Sequence, residues 1–225
     1  MATCALLFPW AGPARWDRYV QRWSRQLLGL CRVTLAPVAG VPALTRTMVV
    51  ANHVSWLDIF VINALHPSHF VAKSEIRDWP ALGWLASRAG TIFIARGSRR
   101  ELRHIFKSLV GALERGERIA LFPEGTTAAQ GALLPFHANL FEAAIDAGVP
   151  VQPYALRYLD AGGALHPAVE FLGEMTFAQS LEAILSGGAI EAQLTRLPAI
   201  ESVDAHRREL ALATRGAIAR ALGQH

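Results

Sequence analysis

Cysteine is scarce in this sequence, and its scarcity argues against a secreted domain held together by disulfides. The 225-residue chain contains two cysteines, Cys4 and Cys31. Disulfide-stabilised secreted domains carry more cysteines at regular spacings, so a reducing compartment is the expected environment.

Long hydrophobic runs are also missing. No uninterrupted apolar stretch of the sequence reaches the roughly 20 residues that a membrane-spanning helix requires. The apolar opening, residues 1–10, is short and has no basic segment before it, unlike a secretory signal peptide. We therefore expect the chain to remain in the cytoplasm and to touch the cytoplasmic face of the inner (plasma) membrane as a peripheral protein.

Charge is low in amount and positive in balance. Charged residues make up 18% of the sequence and hydrophobic residues 52%, with a formal net charge of +4. An apolar and basic protein suits an anionic membrane surface, because headgroups attract Lys and Arg while apolar faces insert. Nucleic acid is the other common partner of basic proteins. We expect no nucleic-acid partner, because the arginines are dispersed and neither zinc-finger spacing nor an RNA-binding aromatic signature occurs.

The N-terminal region predicts one amphipathic helix over residues 14–31, with Pro13 at or just before its first turn. Aromatic and aliphatic residues recur on one side, while four arginines lie mostly off that side. Two interpretations remain open: a helix lying in the bilayer interface, or a helix packed on the rest of the domain. The apolar side carries Trp16, Tyr19, Val20, Trp23, Leu27 and Leu30. The four arginines are Arg15, Arg18, Arg22 and Arg25. Residues 37–42 predict a turn-rich linker, so residues 1–40 form a membrane-associating segment and residues 41–225 the main domain.

Beyond residue 45 the pattern alternates between strands and helices. This order predicts an α/β fold, with a largely parallel central sheet flanked by helices and with sites at the carboxyl ends of strands. Strands are predicted over residues 47–51, 70–72, 91–95, 118–122, 151–157 and 168–172. Helices are predicted over residues 80–89, 98–115, 139–148 and in the tail 202–222.

The most informative residues are His53 and Asp58, which follow the predicted strand that ends at Ala51. On an ideal helix, residues five apart point about 140° away from each other, so the two can meet only at a turn that enters a helix. A carboxylate on one imidazole nitrogen fixes the tautomer, and the other nitrogen can then remove a proton from an alcohol. A helix cap beside an unrelated histidine is the structural alternative.

Two further segments carry candidate site residues at strand ends. Glu124 lies between Pro123 and Gly125, where the glycine allows close backbone approach and offers an N–H to an anion or oxyanion. Thr126 and Thr127 add hydroxyl donors. Each of these features alone also fits an ordinary turn.

Arg96 follows the predicted strand 91–95. A guanidinium at that end of the sheet can hold a phosphate through paired hydrogen bonds. The alternative is the solvated start of a helix, although arginine is poorly suited to a helix N-terminus.

In their order and spacing these segments resemble the motif blocks of one family. The run from Asn52 to Asp58, the run from Gly90 to Arg96, the run from Phe122 to Thr126 and the run from Val149 to Pro153 look like four blocks of the glycerolipid acyltransferases related to bacterial 1-acylglycerol-3-phosphate acyltransferase. The first block has the His-x4-Asp form, and the resemblance extends from about Met48 to about Leu172.

The resemblance implies a specific reaction. His53 would be the general base on the hydroxyl of a lyso-lipid, with Asp58 as its orienting partner, and the acyl donor would be the thioester of acyl-CoA or acyl carrier protein. Arg96 would bind the acceptor's phosphate, and Glu124, Gly125, Thr126 and Thr127 would shape the acceptor site. It implies no cofactor beyond the acyl donor, no metal and no covalent acyl-enzyme. His66 and His69 lie three apart but lack a third ligand at zinc spacing.

One departure leaves the acceptor open. Phosphatidic-acid-forming members of the family usually carry a basic residue where this chain has Thr127, and the Thr126-Thr127 form also resembles bacterial lyso-ornithine lipid acyltransferases. The primary expectation is acylation of 1-acylglycerol-3-phosphate to phosphatidic acid. The alternatives are a lyso-ornithine lipid O-acyltransferase, a non-catalytic peripheral lipid-binding protein, and a hydrolase that uses His53 on water.

Overall fold

The structure is a computed structural model that describes residues 13–74, 83, 91–94 and 99–224. The described strands are β1 Val33–Leu35, β2 Ala39–Gly40, β3 Met48–Ala51, β4 His69–Lys73, β5 Ile92–Ile94, β6 Ile119–Leu121, β7 Val151–Leu159 and β8 Ile190–Arg196. They form one sheet, at whose centre β3 has β6 on one side and β7 on the other. The strand order is β1-β8-β7-β3-β6-β4-β5, with β2 also pairing with β8. Strands β3 to β7 run parallel, whereas β8 is antiparallel to β7 and pairs in parallel with β1 and β2.

The described elements follow one another in a mostly alternating order. The α-helices are α1 Pro13–Leu30, α2 Leu57–Leu65, α3 Arg99–Glu114, α4 Glu142–Asp146, α5 Phe177–Ser186 and α6 Arg207–Ala221. Short 3₁₀ turns span Ala138–Phe141 and Pro167–Val169.

Helices cover both faces of the sheet. One hydrophobic core joins the sheet to α1, α2 and α5, and includes Trp23, Phe60 and Ile184. The second core lies on the opposite face, where α3, α4 and α6 contribute residues such as Leu113 and Ile218. Strands buried on both faces read as continuous apolar runs, as β3 does with all four residues buried. The largely parallel α/β architecture predicted from the sequence is confirmed.

Helix α1 packs on the domain through its apolar side. Val20, Trp23 and Leu28 are buried, and the Trp23 ring meets Phe60 of α2 edge-on at a centroid distance of 5.2 Å. Asp17 accepts a 2.7 Å bond from Arg118, and Trp16 stacks on His69. Of the two interpretations of this helix, the structure supports packing, and Trp23 is not available for insertion into a bilayer. The four arginines lie on the exposed side.

The chain before residue 41 also enters the sheet. Within the predicted linker, β2 pairs with β8, and β1 precedes it on the same partner. The division between residues 1–40 and 41–225 stays a prediction. None of the helices that the structure describes is both long and apolar enough to cross a membrane.

One predicted strand is wrong, and several elements were not predicted. Residues 168–172 form no strand, because Pro167 opens a 3₁₀ turn in which the Ala168 N–H donates to the His166 ring. Phe171 then donates its N–H to the carbonyl of Val54, in the loop that follows β3. Strands β1, β2 and β8 and helix α5 were not anticipated. The predicted helix 80–89 falls almost entirely outside the described residues.

Candidate active site

The site forms where β3 and β6 end side by side. The two strands run parallel with Val50 opposite Leu121, so the segments that leave them start at the same level. His53 leaves β3 and Glu124 leaves β6, and the His53 N–H donates to Glu124 Oε1 at 2.8 Å. Strand pairing therefore brings together two motif blocks that lie 71 residues apart in sequence.

His53 and Asp58 form the hydrogen bond that their spacing predicted. Nδ1 of His53 lies 2.8 Å from Oδ2 of Asp58. His53 precedes α2 and Asp58 lies in its first turn, so the connection is a turn entering a helix. Asp58 is fully buried, whereas 19% of the His53 side chain is exposed. The arrangement leaves Nε2 as the imidazole nitrogen able to receive a proton.

The Asp58 carboxylate has four hydrogen-bond donors around it. Oδ2 accepts the N–H of Val54 at 2.7 Å and of Ser55 at 3.0 Å, in addition to His53. Oδ1 accepts the hydroxyl of Tyr158 at 2.6 Å. A buried carboxylate without partners would be costly, and these donors compensate the lost hydration of its charge. Asp58 is therefore fixed in orientation through both of its oxygens.

The plane of the His53 ring is set by Phe122. The two rings stack with centroids 4.0 Å apart and an interplanar angle of 6°. Phe122 in turn stacks on Phe70 of β4 at 5.7 Å. Since a histidine in contact with a carboxylate can still rotate about its side-chain bonds, this stack supplies a second constraint on the imidazole.

Glu124 connects three parts of the site through one carboxylate. It is buried, its Oε1 accepts from His53, and its Oε2 accepts the N–H of Leu134 at 2.8 Å. Burial raises the pKa of Glu124, while the two backbone donors oppose that rise. Both oxygens are thus directed at the protein backbone, so Glu124 shapes the site by holding the loops around it.

Gly125 occupies a conformation that favours glycine. Its φ is +71°, and an added Cβ would lie 3.1 Å from the ring of His137. Its N–H, proposed from the sequence as an oxyanion donor, donates to the Phe122 carbonyl at 3.1 Å and closes the turn. The residue therefore contributes tight backbone geometry and brings the exposed His137 beside the site.

The two threonines differ in environment. Thr126 is exposed, whereas the Thr127 hydroxyl donates to the carbonyl of Phe171. Phe171 also donates its N–H to Val54 at 3.2 Å. The segment around Phe171 thereby connects the Thr127 loop to the His53 loop. Binding of the acceptor by Thr126 and Thr127 stays a prediction.

Arg96 lies outside the described residues, so its place relative to His53 stays a prediction. Among the residues that the structure describes, no group of three or more His, Cys, Asp or Glu side chains is placed to hold a metal ion.

Tyr158 and Phe122 are the site residues that the sequence analysis missed. Tyr158 lies in an apolar strand, where a buried phenol requires a hydrogen-bond partner, and this requirement was the available signal. Phe122 lies beside Pro123 in the second motif block but carries no polar group that would single it out.

The chain is similar in sequence to known proteins. Residues 35–157 match the model of the family described as Acyltransferase. A 1-acyl-sn-glycerol-3-phosphate acyltransferase of Neisseria gonorrhoeae is 51% identical over 116 residues, covering 52% of this chain and 46% of that protein. The chain thus matches about half the length of this relative.

Two relatives with another name align over more of the chain. A lyso-ornithine lipid O-acyltransferase of Pseudomonas aeruginosa is 42% identical over 175 residues, which cover 77% of this chain and 66% of that protein. One of Rhodobacter capsulatus is 34% identical over 209 residues, covering 87% of this chain and 75% of that protein.

The fold also matches a solved structure. The 1-acyl-sn-glycerophosphate (LPA) acyltransferase PlsC from Thermotoga maritima superposes with a TM-score of 0.67 at 21% identity, covering 92% of this chain and 80% of that one. At this identity the similarity bears on the fold.

Proposed function

Because this chain belongs to the acyltransferase family, we propose that it is an O-acyltransferase that moves a fatty acyl chain from acyl-CoA or acyl carrier protein to the free hydroxyl of a lyso-lipid. The observation that carries the proposal is the 2.8 Å contact between His53 Nδ1 and Asp58 Oδ2 at the end of the central strand. It leaves His53 Nε2 available as the general base.

The reaction needs one acyl transfer and two proton transfers, to and from His53. Nε2 of His53 takes the proton of the acceptor hydroxyl while the oxygen attacks the thioester carbonyl. The new C–O bond forms, the C–S bond breaks, and the imidazolium returns the proton to the departing thiolate. The charge of Asp58 stabilises the imidazolium between these steps.

For the acceptor we propose 1-acylglycerol-3-phosphate, with phosphatidic acid as the product and Arg96 paired with the phosphate. The 51% identity to the Neisseria relative over 116 residues supports this choice. Lyso-ornithine lipid is the second candidate. It is favoured by Thr127 at a position where phosphatidic-acid-forming relatives usually carry a positive charge, and by the longer alignment with relatives of that name.

The place of action that we propose is the cytoplasmic face of the inner membrane, with peripheral attachment. The acceptor is a membrane lipid, and α1 presents Arg15, Arg18, Arg22 and Arg25 on its exposed side. Arginines near an anionic surface each contribute about 1 kcal/mol of attraction. Attachment through this side needs no exposed apolar face on the helix.

A product assay tests the activity. Purified protein is incubated with labelled acyl-CoA or acyl carrier protein and with 1-acylglycerol-3-phosphate, lyso-ornithine lipid, a choline lyso-lipid, or no acceptor, and products are identified by mass. We expect a two-chain lipid. Release of free fatty acid without acceptor would instead show a hydrolase, and binding of lyso-lipid without product a lipid-binding protein.

His53→Ala is the decisive variant in this assay. Loss of a general base lowers turnover by about 10²–10⁴-fold. His206→Ala is the matched control, because His206 is exposed and its ring only caps helix α6. Near-normal turnover by folded His53→Ala protein would rule out the mechanism. Arg96→Ala separates the acceptors, since it raises KM steeply only if the acceptor carries a phosphate that Arg96 binds.

A further inference from the structure

The hydroxyl of Tyr158 is the polar group of the site that the proposed reaction does not yet use. Tyr158 lies on β7, is fully buried, and donates to Asp58 Oδ1 at 2.6 Å. The two residues are 100 positions apart in sequence. The contact therefore connects helix α2, which carries Asp58, to β7, the strand that flanks β3 on the side opposite β6.

Tyr158 donates to the Asp58 oxygen that receives no hydrogen bond from the loop after β3. Val54, Ser55 and His53 all direct their hydrogen bonds to Oδ2. Of the residues that the structure describes, only Tyr158 donates to Oδ1. Without the phenol, Oδ1 would be a buried oxygen with no donor among the described residues, and the carboxylate would be held through Oδ2 alone.

The backbone of Tyr158 is itself fixed. Its N–H donates to Gln130 Oε1 at 2.7 Å, and Nε2 of Gln130 donates back to the Tyr158 carbonyl at 3.2 Å. Burial and the neighbouring charge of Asp58 raise the pKa of Tyr158 well above its ordinary value, so the phenol stays protonated and remains a donor. The hydroxyl is thus presented from a rigid strand.

We propose that Tyr158 is a positioning residue of the acyl-transfer site, whose hydroxyl fixes the Asp58 carboxylate so that His53 presents Nε2 to the acceptor hydroxyl. The proposal rests on the function proposed above and deepens it. Tyr158 acts through Asp58 and does not itself contact the reacting atoms.

Loss of the hydroxyl has a predictable electrostatic consequence. A carboxylate that loses a donor becomes more basic and binds the imidazolium of His53 more tightly. The ionisable groups that the described residues bring to Asp58 are His53, Tyr158 and Glu124. Because His53 must be neutral to act as a base, the acid limb of the kcat/KM profile moves to higher pH.

The experiment compares Tyr158→Phe with Tyr154→Phe. Tyr154 lies on the same strand and face, is fully buried, and its hydroxyl pairs with His66 at 2.7 Å, away from Asp58. Each variant loses one buried hydrogen bond and no volume of ring. We expect Tyr158→Phe to lower kcat about 10-fold with KM within about twofold and the acid limb shifted upward, and Tyr154→Phe to keep kcat within about twofold.

An unchanged kcat and pH profile in folded Tyr158→Phe, or an equal loss in Tyr154→Phe, would overturn the proposal. If Tyr158→Phe does not fold, difluorotyrosine at position 158 replaces it. This stronger donor should move the acid limb to lower pH, and no movement overturns the proposal equally.

NMR titration of the His53 imidazole in the unsubstituted protein and in Tyr158→Phe measures the same change in His53 protonation without requiring turnover. A shift in a protein that acylates no lyso-lipid would refute the proposed function while retaining the role of Tyr158 toward the His53–Asp58 pair.

Discussion

Glu124 lies between two loops of the site and accepts one backbone N–H from each, His53 and Leu134, both at 2.8 Å. Each carboxylate oxygen has its own donor, so the residue is matched to an anion with two acceptors. An amide of the same shape has one acceptor oxygen and one NH₂ group, which would face an N–H donor. The position therefore distinguishes between glutamate and glutamine more sharply than a surface site would.

We predict that Glu124→Gln lowers the free energy of unfolding by about 1–3 kcal/mol, because one buried N–H loses its acceptor. Turnover should fall as well, because the backbone of His53 loses its fixed position. The control is Glu142→Gln, whose carboxylate makes a half-exposed ion pair with Arg207 at 3.0 Å. Urea denaturation and the product assay measure both effects. Equal stability of the two variants would contradict the structural role given to Glu124.

At the scale of elements, β2 joins the sheet through a close backbone approach to β8. Gly40 has a φ of +87°, and an added Cβ would lie 1.9 Å from the carbonyl oxygen of Arg196. Gly131 has the same φ of +87° but no heavy atom within 4 Å of its added Cβ. The pair separates two costs, the left-handed backbone and the steric clash.

Gly131→Ala should lower stability by about 1–2 kcal/mol, the cost of a left-handed alanine. Gly40→Ala should cost clearly more, since the clash is with backbone and must displace β2 from β8. Thermal and urea unfolding of both variants measure the difference. Equal costs would mean that β2 does not lie against β8 as described.

Helix α1 separates its two sides by function in the proposed membrane attachment. Its apolar side is already buried on α2, so in the proposed attachment the exposed arginines would be the surface that meets the membrane. Deleting residues 1–35 is therefore a poor test, because it would remove buried core residues and β1 together with the arginines.

Charge substitution tests the attachment without removing the helix. Arg15→Gln combined with Arg22→Gln should weaken binding to vesicles containing anionic lipid by about tenfold or more, at about 1 kcal/mol per arginine. The matched control is Arg208→Gln combined with Arg220→Gln on α6, which changes net charge equally. Higher salt should weaken binding of the unsubstituted protein. The same affinity for both double variants would place the membrane contact elsewhere.

At the scale of the whole molecule, a buried hydrogen bond connects the end of α2 to β7, separate from the His53–Asp58 pair. His66 caps the end of α2, accepts or donates a 2.7 Å bond with Tyr154, and is 8% exposed. Burial, and secondarily the charges of Arg118 and Arg196, lower the pKa of His66 to about 4. Tyr154, buried beside it, has its pKa raised to about 12.

Stability should therefore fall in mild acid. His66 stays neutral in the folded chain down to about pH 4 but takes a proton in the unfolded chain below its ordinary pKa of 6.5, so protons favour unfolding between these values. Protonation of His66 in the unfolded chain should lower the free energy of unfolding by about 3 kcal/mol between pH 6.5 and about pH 4. Urea unfolding at about pH 7.5 and about pH 4.5 measures it, with His66→Asn as the variant that cannot titrate. If both proteins lose stability equally, His66 is not the cause.

The sequence by itself determined the local chemistry of this protein. His53 and Asp58 are five residues apart at a strand-to-helix turn, so their contact needs only local backbone geometry. The alternating apolar runs likewise determined the α/β class and the position of most central strands. The prediction failed for segments without such a period. Residues 168–172 are apolar enough for a strand, but Pro167 opens a 3₁₀ turn and Phe171 bonds to Val54 instead of to a neighbouring strand.

The tertiary structure alone decided which distant groups support the His53–Asp58 pair. Glu124 reaches His53 across 71 residues, Thr127 reaches Phe171 across 44, and Tyr158 reaches Asp58 across 100. These contacts depend on strand order, which places β6 and β7 on either side of β3, and no sequence period encodes that order. A buried tyrosine needs a hydrogen-bond acceptor, which the sequence can indicate, but only the packed sheet determines that the acceptor is Asp58.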